Sequence, residues 1–203
     1  DASYAFVTGC QMAHTTALAA ARHAVLEQKG WDVESQGLQG APAIRVLANA
    51  HHHSSVTRAL RLLGLGSDCI VPLGGGGPGL VAPEALRAAL AEAPDAPTIL
   101  ILNAGDLNIG ACDDFATLCP IAQAAGAWVH VDGAFGLWAN ASPRLSALVS
   151  GVERADSWAT DGHKWLNTPY DCGMAITRHA SAHSAAMRMT AAYLTSGGSV
   201  RDP

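Results

Sequence analysis

Two ionisable residues in the last third of the chain stand where they could do chemistry on a carbonyl compound. Asp132 follows the apolar run 128–131, and Lys164 lies between His163 and Trp165. A lysine amine can hold an aldehyde as an imine, and a carboxylate can keep a pyridine nitrogen protonated so that the ring withdraws electrons. Together the two residues predict a site for pyridoxal 5'-phosphate (PLP), which neither residue would indicate alone.

The surroundings of both residues favour a functional role. A carboxylate at the end of a buried strand is costly unless it is paired, although Asp132 could instead cap the segment that follows it. Gly133 and Ala134 are small enough for a flat ring to pack against the backbone. Lys164 lies in a weakly charged stretch between two aromatic rings, whereas Lys29 falls at the end of a predicted helix, where a solvated role is natural.

A turn of small residues at positions 8–10 leads into a long predicted helix. The first N–H groups of a helix have no partner within it and carry a partial positive charge, which suits a phosphate group. An ordinary tight turn would look the same in the sequence. His163 could also reach the phosphate, and a hydrogen-bonded structural role is the alternative for that histidine.

Three consecutive histidines at positions 51–53 suggest a metal site at first sight. Neighbours on an extended segment point to opposite faces, so the three rings cannot readily bind one ion. The sequence has no HExxH motif and no matching Cys/His set, and we expect no metal. One of these imidazoles could lie flat over a cofactor ring, and a surface or helix-capping role is the alternative.

The elements that must position these residues alternate along the chain. Helices are predicted at 13–29, 54–63, 83–91 and 114–125, and strands at 43–48, 69–72, 98–103, 127–131, 155–158 and 174–177. This alternation predicts an α/β fold with a mostly parallel sheet and helices on both faces. Ligands bind beyond the carboxyl ends of such strands, where Asn103, Asp132 and the loop before Lys164 fall.

Two segments complicate this assignment of elements. Pro120 lies inside the helix predicted at 114–125, so the helix should kink there or its boundary is misplaced. The glycine-rich segment 73–80 lacks the lysine and hydroxyl of a P-loop, and we interpret it as a flexible connector rather than a phosphate cradle.

The composition is that of one folded domain. The 203 residues are 49% hydrophobic and 14% charged, which excludes a disordered chain and allows a sizeable core. The net charge of -5 gives no reason to expect a nucleic acid or an anionic membrane as partner, and no apolar run is long enough to span a bilayer. Five cysteines without a CxxC pair argue against a disulfide framework and favour a reducing cytoplasm.

The chain resembles the group II PLP-dependent decarboxylases, the family of glutamate, aromatic-amino-acid, tyrosine and histidine decarboxylases. The resemblance covers essentially the whole chain, and its most specific parts are the HVDxAxG and HKW motifs. It implies the large cofactor-binding domain of PLP fold type I. The matching segments, in the family's order, are TGCQMAHTTALAAAR, AHHHSSV, ILNAGDLNIGACDDF, HVDGAFG and DGHKWLNTPYDCG.

The resemblance also implies a role for each matching residue. Lys164 would form the internal aldimine with PLP, and Asp132 would pair with the pyridinium nitrogen. His53 would stack on one face of the ring, and Ala134 would contact the other face. The phosphate would be held by Cys10, Gln11 and His163.

The chain departs from the family pattern at several of these positions. Cys10 replaces the usual Gly, and His14 replaces the usual Asn. The segment 105–107 reads Gly-Asp-Leu where Gly-Thr-Thr is common, and 161–162 reads Asp-Gly where Asn-Pro is frequent. These changes are compatible with cofactor binding and leave the substrate open.

Members of the family are roughly twice as long as this chain. We therefore expect residues 1–203 to be part of a longer homodimeric enzyme, without its N-terminal segment and its small C-terminal domain. The family's mobile loop, which carries a catalytic tyrosine, would begin near Pro203, and Tyr193 precedes it. The arginine that commonly holds the substrate carboxylate would also be absent.

The expected activity is decarboxylation of an L-amino acid by the intact enzyme. The isolated fragment is expected to be inactive. Two alternatives remain at this point: another PLP reaction on the same scaffold, such as transamination or carbon–carbon lysis, and a truncated domain that serves only as a structural or interaction piece.

Overall fold

The fold was examined in a computed structural model that describes residues 2–189 of the chain. Tyr193 and the predicted start of the mobile loop at Pro203 lie outside the described residues. One seven-stranded sheet forms the centre, with the strand order β1-β7-β6-β5-β4-β2-β3. The strands are β1 (Ser3–Val7), β2 (Arg45–Asn49), β3 (Ile70–Leu73), β4 (Thr98–Asn103), β5 (Trp128–Asp132), β6 (Ser157–Asp161) and β7 (Gly173–Thr177).

The sheet is mostly parallel, as the alternating pattern predicts. β2 pairs in parallel with β3 and β4, and the parallel arrangement continues from β4 through β5 to β6. Only β7 is antiparallel to its neighbours, β6 and β1. The helices are α1 (Cys10–Glu27), α2 (Val33–Gln36), α3 (Ser54–Leu62), α4 (Pro83–Glu92), α5 (Phe115–Ala124) and α6 (Ala180–Met187), and short 3-10 turns span Gly136–Ala141, Ser146–Val149 and Val152–Arg154.

Apolar side chains pack against helices on both faces of the sheet, and β4 contributes to both packed layers. All six of its residues are buried, so the strand reads as an unbroken apolar run. Successive side chains point to opposite faces. Ile99 and Ile101 join the core formed with α1 and α3, whereas Leu100 and Leu102 join the core formed with α4 and α5. Each such side chain, when fully buried, contributes roughly 1.5–3 kcal/mol of transfer free energy.

The first helix begins at Cys10, three residues before the predicted start. Its first turn packs under the sheet edge because Gly9 lies directly against Gly173 of β7, where a Cβ on Gly173 would come within 2.6 Å of the Gly9 backbone. The helix ends at Glu27, and Gly30 has a left-handed φ of 73°, which agrees with its predicted role as a stop.

Three expectations about the elements need correction. Strand β1 and helix α6 were not predicted, because β1 exposes its large side chains, Tyr4 and Phe6, and α6 is built mainly from small residues. Helix α5 continues through Pro120 rather than ending there. The segment 73–80 is a connector, but it is held by hydrogen bonds, among them one from Asn49 Nδ2 to the Gly79 carbonyl.

Within residues 2–189, no helix combines the length and the apolar character needed to cross a bilayer.

Candidate active site

A cavity of about 690 Å³ opens where the carboxyl ends of β2, β4, β5 and β6 meet the start of α1. This is the place where an α/β sheet is expected to bind a ligand, and the volume is typical of small-molecule sites. The fold brings every residue of the predicted site to its wall. These residues are Cys10, Gln11, His53, Asp132, Ala134, His163 and Lys164.

Asp132 is the last residue of β5 and lies beside Asn103, the last residue of β4, in the parallel register. Its Oδ1 accepts a hydrogen bond of 3.1 Å from the Ala134 N–H, and its Oδ2 lies 3.4 Å from His14 Nε2. Burial alone would raise the pKa of Asp132, but the His14 imidazole and the Ala134 amide lower that pKa well below its usual range. The side chain is therefore an ionised carboxylate. Its bond to the Ala134 N–H is a local turn contact and not a helix cap, since the following 3-10 turn has Phe135 as its N-cap.

A buried chain of hydrogen bonds supports this carboxylate from behind. His14 Nδ1 lies 2.9 Å from His130 Nε2, and His130 Nδ1 lies 2.9 Å from Ser157 Oγ, which accepts a bond of 2.8 Å from the Trp128 indole N–H. The indole can only donate and the carboxylate can only accept. A single direction of donation, from Trp128 through Ser157, His130 and His14 to Asp132, satisfies every link. Burial, with His14 adding to it, lowers the pKa of His130 to about 3, in agreement with a neutral ring.

Lys164 is held by a carboxylate that the sequence did not single out as a functional group. Its Nζ lies 2.9 Å from Asp161 Oδ2 and 4.2 Å from the centre of the Phe135 ring. The other oxygen, Asp161 Oδ1, accepts a hydrogen bond of 2.6 Å from the Cys10 N–H. Asp161 thus links the lysine to the N-terminus of α1. An acid three residues before the lysine, and three residues after the strand predicted at 155–158, was the available signal.

The residues predicted to hold a phosphate have partners of their own. The Cys10 N–H is donated to Asp161, and burial raises the pKa of the Cys10 thiol, so the thiol is neutral. Gln11 Nε2 donates to the Ser55 carbonyl at 3.3 Å, which joins α1 to α3. The His163 ring stacks on Tyr170 with 3.8 Å between ring centres, and among residues 2–189 its buried Nδ1 has no hydrogen-bond partner.

His53 caps helix α3 and also lines the cavity. Its Nδ1 accepts a hydrogen bond of 3.3 Å from the Ser55 N–H and lies 2.8 Å from Ser55 Oγ. The capping alternative is therefore present in the structure, and stacking on a ring stays a prediction. The neighbouring histidines turn elsewhere, as expected for an extended segment: His51 Nδ1 lies 3.3 Å from Asp106 Oδ2, and His52 bonds to the Asn49 carbonyl and to Thr57.

The residues present fit PLP. Asp132 is ionised, as a partner for a pyridinium nitrogen must be, and Lys164 reaches the same cavity. Asn103 and His163 line the cavity, and each has a buried polar atom, Asn103 Oδ1 and His163 Nδ1, without a partner among residues 2–189, which suits a site that a polar ligand completes. Gly133 lets the backbone beside Asp132 pack tightly, since a Cβ there would lie 2.7 Å from Leu137.

Comparison with known proteins identifies the family of the chain. The model of the pyridoxal-dependent decarboxylase conserved domain matches residues 5–201. An aromatic-L-amino-acid decarboxylase of Bacillus atrophaeus is 34% identical over 192 residues, which is 93% of this chain and 38% of that protein. A cysteine sulfinic acid decarboxylase of Rattus norvegicus is 31% identical over 153 residues, which is 74% of this chain and 31% of that protein. The chain therefore spans less than two fifths of the length of these relatives.

Solved structures show the same architecture. The apo form of mouse CSAD aligns with a TM-score of 0.85 at 25% identity, over 98% of this chain and 42% of that one. Oryza sativa TDC, solved with PLP and tryptamine, also aligns with a TM-score of 0.85, at 27% identity, over 97% of this chain and 40% of that one. Because the family model matches nearly every residue and the fold agrees, the chain belongs to the pyridoxal-dependent decarboxylase family.

Proposed function

We propose that the protein containing this chain decarboxylates an L-amino acid with PLP as its cofactor. The observation that carries the proposal is that an ionised Asp132 and Lys164 both line one cavity. The relatives named above are decarboxylases of different amino acids. Since Arg58 and Asp106 both line the cavity, charges of both signs face the substrate, and the substrate side chain is not assigned.

When bound, PLP supplies a ring that takes up the electron pair left on the substrate as carbon dioxide departs. The chain's own residues hold that ring. Asp132 would keep a proton at the ring nitrogen, and the chain from Trp128 to His14 would keep Asp132 oriented. Lys164 would hold the aldehyde end, while His53 and Ala134 would lie on opposite faces of the ring.

For the phosphate we propose Gln11 and His163, with a smaller part for Cys10. The His163 Nδ1 has no hydrogen-bond partner among the described residues, so a phosphate oxygen could accept from it. The Cys10 N–H already donates to Asp161, so a phosphate would have to share it. The negative charge of Asp161 also opposes a second anion at this helix end.

The test is Lys164→Ala, with Lys29→Ala as the matched control on the exposed end of α1. PLP is added to each purified protein, and the visible absorbance and the borohydride-trapped cofactor are measured. The Lys164 variant should lose both signals, and the Lys29 variant should keep them. Retention of the trapped cofactor in the Lys164 variant would overturn the assignment of this lysine.

The reaction itself is tested by its products. Asp106 stands where the family commonly has a hydroxyl and pairs with His51, so this part of the cavity differs from the family pattern. With a panel of L-amino acids, release of carbon dioxide and the matching amine supports decarboxylation. Formation of a keto acid without carbon dioxide would instead identify transamination on the same scaffold.

We also propose that the full-length protein is a homodimer. Three aromatic side chains of the described part are largely exposed: Phe6 at 73%, Tyr170 at 76% and Trp165 at 67%. Exposed apolar groups of this size commonly mark an interface. Light scattering of the full-length protein should give twice the mass of one chain, and a monomeric mass would contradict the proposal.

A further inference from the structure

We propose that Cys10, His14 and Asp132 form a binding site for a thiophilic divalent cation, Zn²⁺ in particular, in the cofactor-free protein. Cys10 and His14 are four residues apart on α1, so their side chains lie on one face of the helix. The end of β5 brings Asp132 to the same point. The three ligand atoms, a thiol sulfur, an imidazole nitrogen and a carboxylate oxygen, all lie within 4.8 Å of one another.

Two of the three spacings between these atoms match a tetrahedral zinc centre. His14 Nε2 lies 3.6 Å from Cys10 Sγ and 3.4 Å from Asp132 Oδ2. Ligands at about 2.3 Å for sulfur and about 2.0–2.1 Å for nitrogen or oxygen, arranged tetrahedrally, lie about 3.4–3.6 Å apart. His14 Nε2 therefore already lies at zinc-ligand spacing from both other ligand atoms, and the Cys10 thiol and the Asp132 carboxylate lie within 4.8 Å of each other. Because Cys10 and Asp132 line the cavity, water could reach the fourth position.

The surroundings of the cluster suit a cation. Metal-binding histidines usually engage their second ring nitrogen with another group, and His14 Nδ1 already lies 2.9 Å from His130 Nε2. With a metal on His14 Nε2, the His14 Nδ1–H would donate to His130 Nε2. The His130 Nδ1–H would then donate to Ser157 Oγ, which has a second lone pair available beside the one that accepts from Trp128.

The cation and the cofactor should compete. Both need Asp132, the cation as a ligand and the PLP ring as the partner of its nitrogen. This part of the inference rests on the proposed function, whereas the cation site itself does not. The structure therefore assigns one carboxylate to two mutually exclusive ligands, and the protein should hold the metal only while PLP is absent.

The test uses the full-length protein after removal of PLP. Zn²⁺ is titrated by calorimetry, and Co²⁺ is used as a spectroscopic probe, since a thiolate ligand gives it an intense charge-transfer absorption. One equivalent should bind. Cys10→Ser and His14→Asn should each weaken the binding of the metal by at least about 10–100-fold, because even the loss of a group that only contacts a metal ligand has an effect of that size. Cys10→Ser should also remove the cobalt–thiolate absorption.

The matched control is Cys119→Ala, which removes a buried thiol on α5, on the opposite face of the sheet. That variant should bind Zn²⁺ like the native protein. Circular dichroism identifies any variant that fails to fold, and Cys10→Ser, a change of one atom, keeps the test decisive if His14→Asn unfolds. Zinc binding that is unchanged by Cys10→Ser, or the absence of stoichiometric binding, would overturn the site.

A final titration separates this inference from the proposed function. Bound Zn²⁺ should lower the affinity for PLP by more than tenfold, measured by the visible absorbance of the cofactor. If Zn²⁺ binds as described and PLP does not bind even without metal, the cation site stands and the proposed function fails. If PLP binds and Zn²⁺ does not, the proposed function stands and the cation site is wrong.

Discussion

Asp161 connects two parts of the site that lie far apart in the sequence. One carboxylate oxygen pairs with the Lys164 amine, and the other accepts the Cys10 N–H, 151 residues away. The lysine must leave this ion pair before its amine can react with an aldehyde. Asp161 also places a negative charge at the helix end where a phosphate is proposed to bind. The residue thus positions the lysine at a cost to cofactor binding.

Asp161→Asn should therefore tighten the binding of PLP, by about tenfold, which corresponds to ~1.4 kcal/mol. The amide still offers an oxygen to the Cys10 N–H, so the start of α1 keeps its partner. The measurement is a PLP titration followed by visible absorbance. Asp171→Asn, at an exposed position in the following loop, serves as the control and should leave the affinity unchanged. An unchanged or weaker affinity in the Asp161 variant would show that the ion pair does not oppose the cofactor.

His53 caps helix α3 and is proposed to stack on the cofactor ring, and a pair of variants can separate the two roles. Asparagine is a good helix cap, so His53→Asn should keep the stability of α3 and lose only the imidazole ring. His53→Ala should lose the cap as well, at about 0.5–2 kcal/mol of unfolding free energy. If the imidazole stacks on the cofactor ring and takes part in the reaction there, both variants should decarboxylate the substrate more slowly, by roughly 10–100-fold. Full activity of His53→Asn would limit this residue to capping.

The strand ends decide which side chains share the cavity. The parallel register sets Asn103 of β4 beside Asp132 of β5, and β6 carries Asp161 to the same edge. Helix α1 completes the site because its first turn lies against β7. This approach requires glycine at position 173, because a Cβ there would lie 2.6 Å from the Gly9 backbone.

Gly173→Ala should push the start of α1 away from the sheet. Its Cβ would lie 2.6 Å from the Gly9 backbone, which cannot move without shifting the helix. We expect a loss of about 1–3 kcal/mol in the free energy of unfolding, typical of overpacking, together with weaker PLP binding. Gly74→Ala is the control, because a Cβ there meets no atom within 4 Å. Equal stability of the two variants would mean that this contact does not position the helix.

The elements found from the sequence are those with a strong apolar pattern. β4 and β5 are continuous buried runs, and their predicted bounds agree with the structure to within one residue. β1 and α6 were missed because their pattern is weak: β1 turns Phe6 outward at an edge of the sheet, and α6 consists mostly of small residues. Such elements form because the rest of the sheet offers them a partner, which local sequence does not record.

The buried histidine pair makes the stability of the whole molecule depend on pH. Burial holds the pKa of His130 at about 3, whereas an unfolded histidine titrates near 6.5. As the pH falls from 6.5 to 4.5, the unfolded chain binds a proton that folded His130 does not bind. Stability should therefore fall by up to about 1.4 kcal/mol per pH unit in this window.

Chemical denaturation at several pH values measures this slope. His130→Gln removes the titrating group, so the variant, although less stable at neutral pH, should lose stability more slowly as the pH falls. The other groups that titrate in this window are present in both proteins, so the difference between the two slopes reports His130. Equal slopes for the native protein and the variant would show that His130 is not the group responsible.

The length of the chain leads to a separate prediction. The 203 residues cover 38–42% of the relatives and structures with which they align most completely. Every residue proposed to hold PLP lies in this stretch, whereas a decarboxylase of the full length offers further groups to the substrate. The 203-residue chain alone should therefore bind PLP, seen by absorbance and borohydride trapping, and release no carbon dioxide. Measurable carbon dioxide release from this chain would contradict the prediction.

The sequence alone determined the family and the α/β class, because motif spacing and apolar runs are local features of the chain. It also predicted paired roles for Asp132 and Lys164 and marked Cys10 and His14 as departures from the family. Only the tertiary structure decided that these departures meet Asp132, that Asp161 holds Lys164, and that His14 contacts His130 across 116 residues. Those contacts depend on the position of α1 at the carboxyl ends of β5 and β6. Packing decides which side chains meet there, and no local sequence pattern encodes that packing.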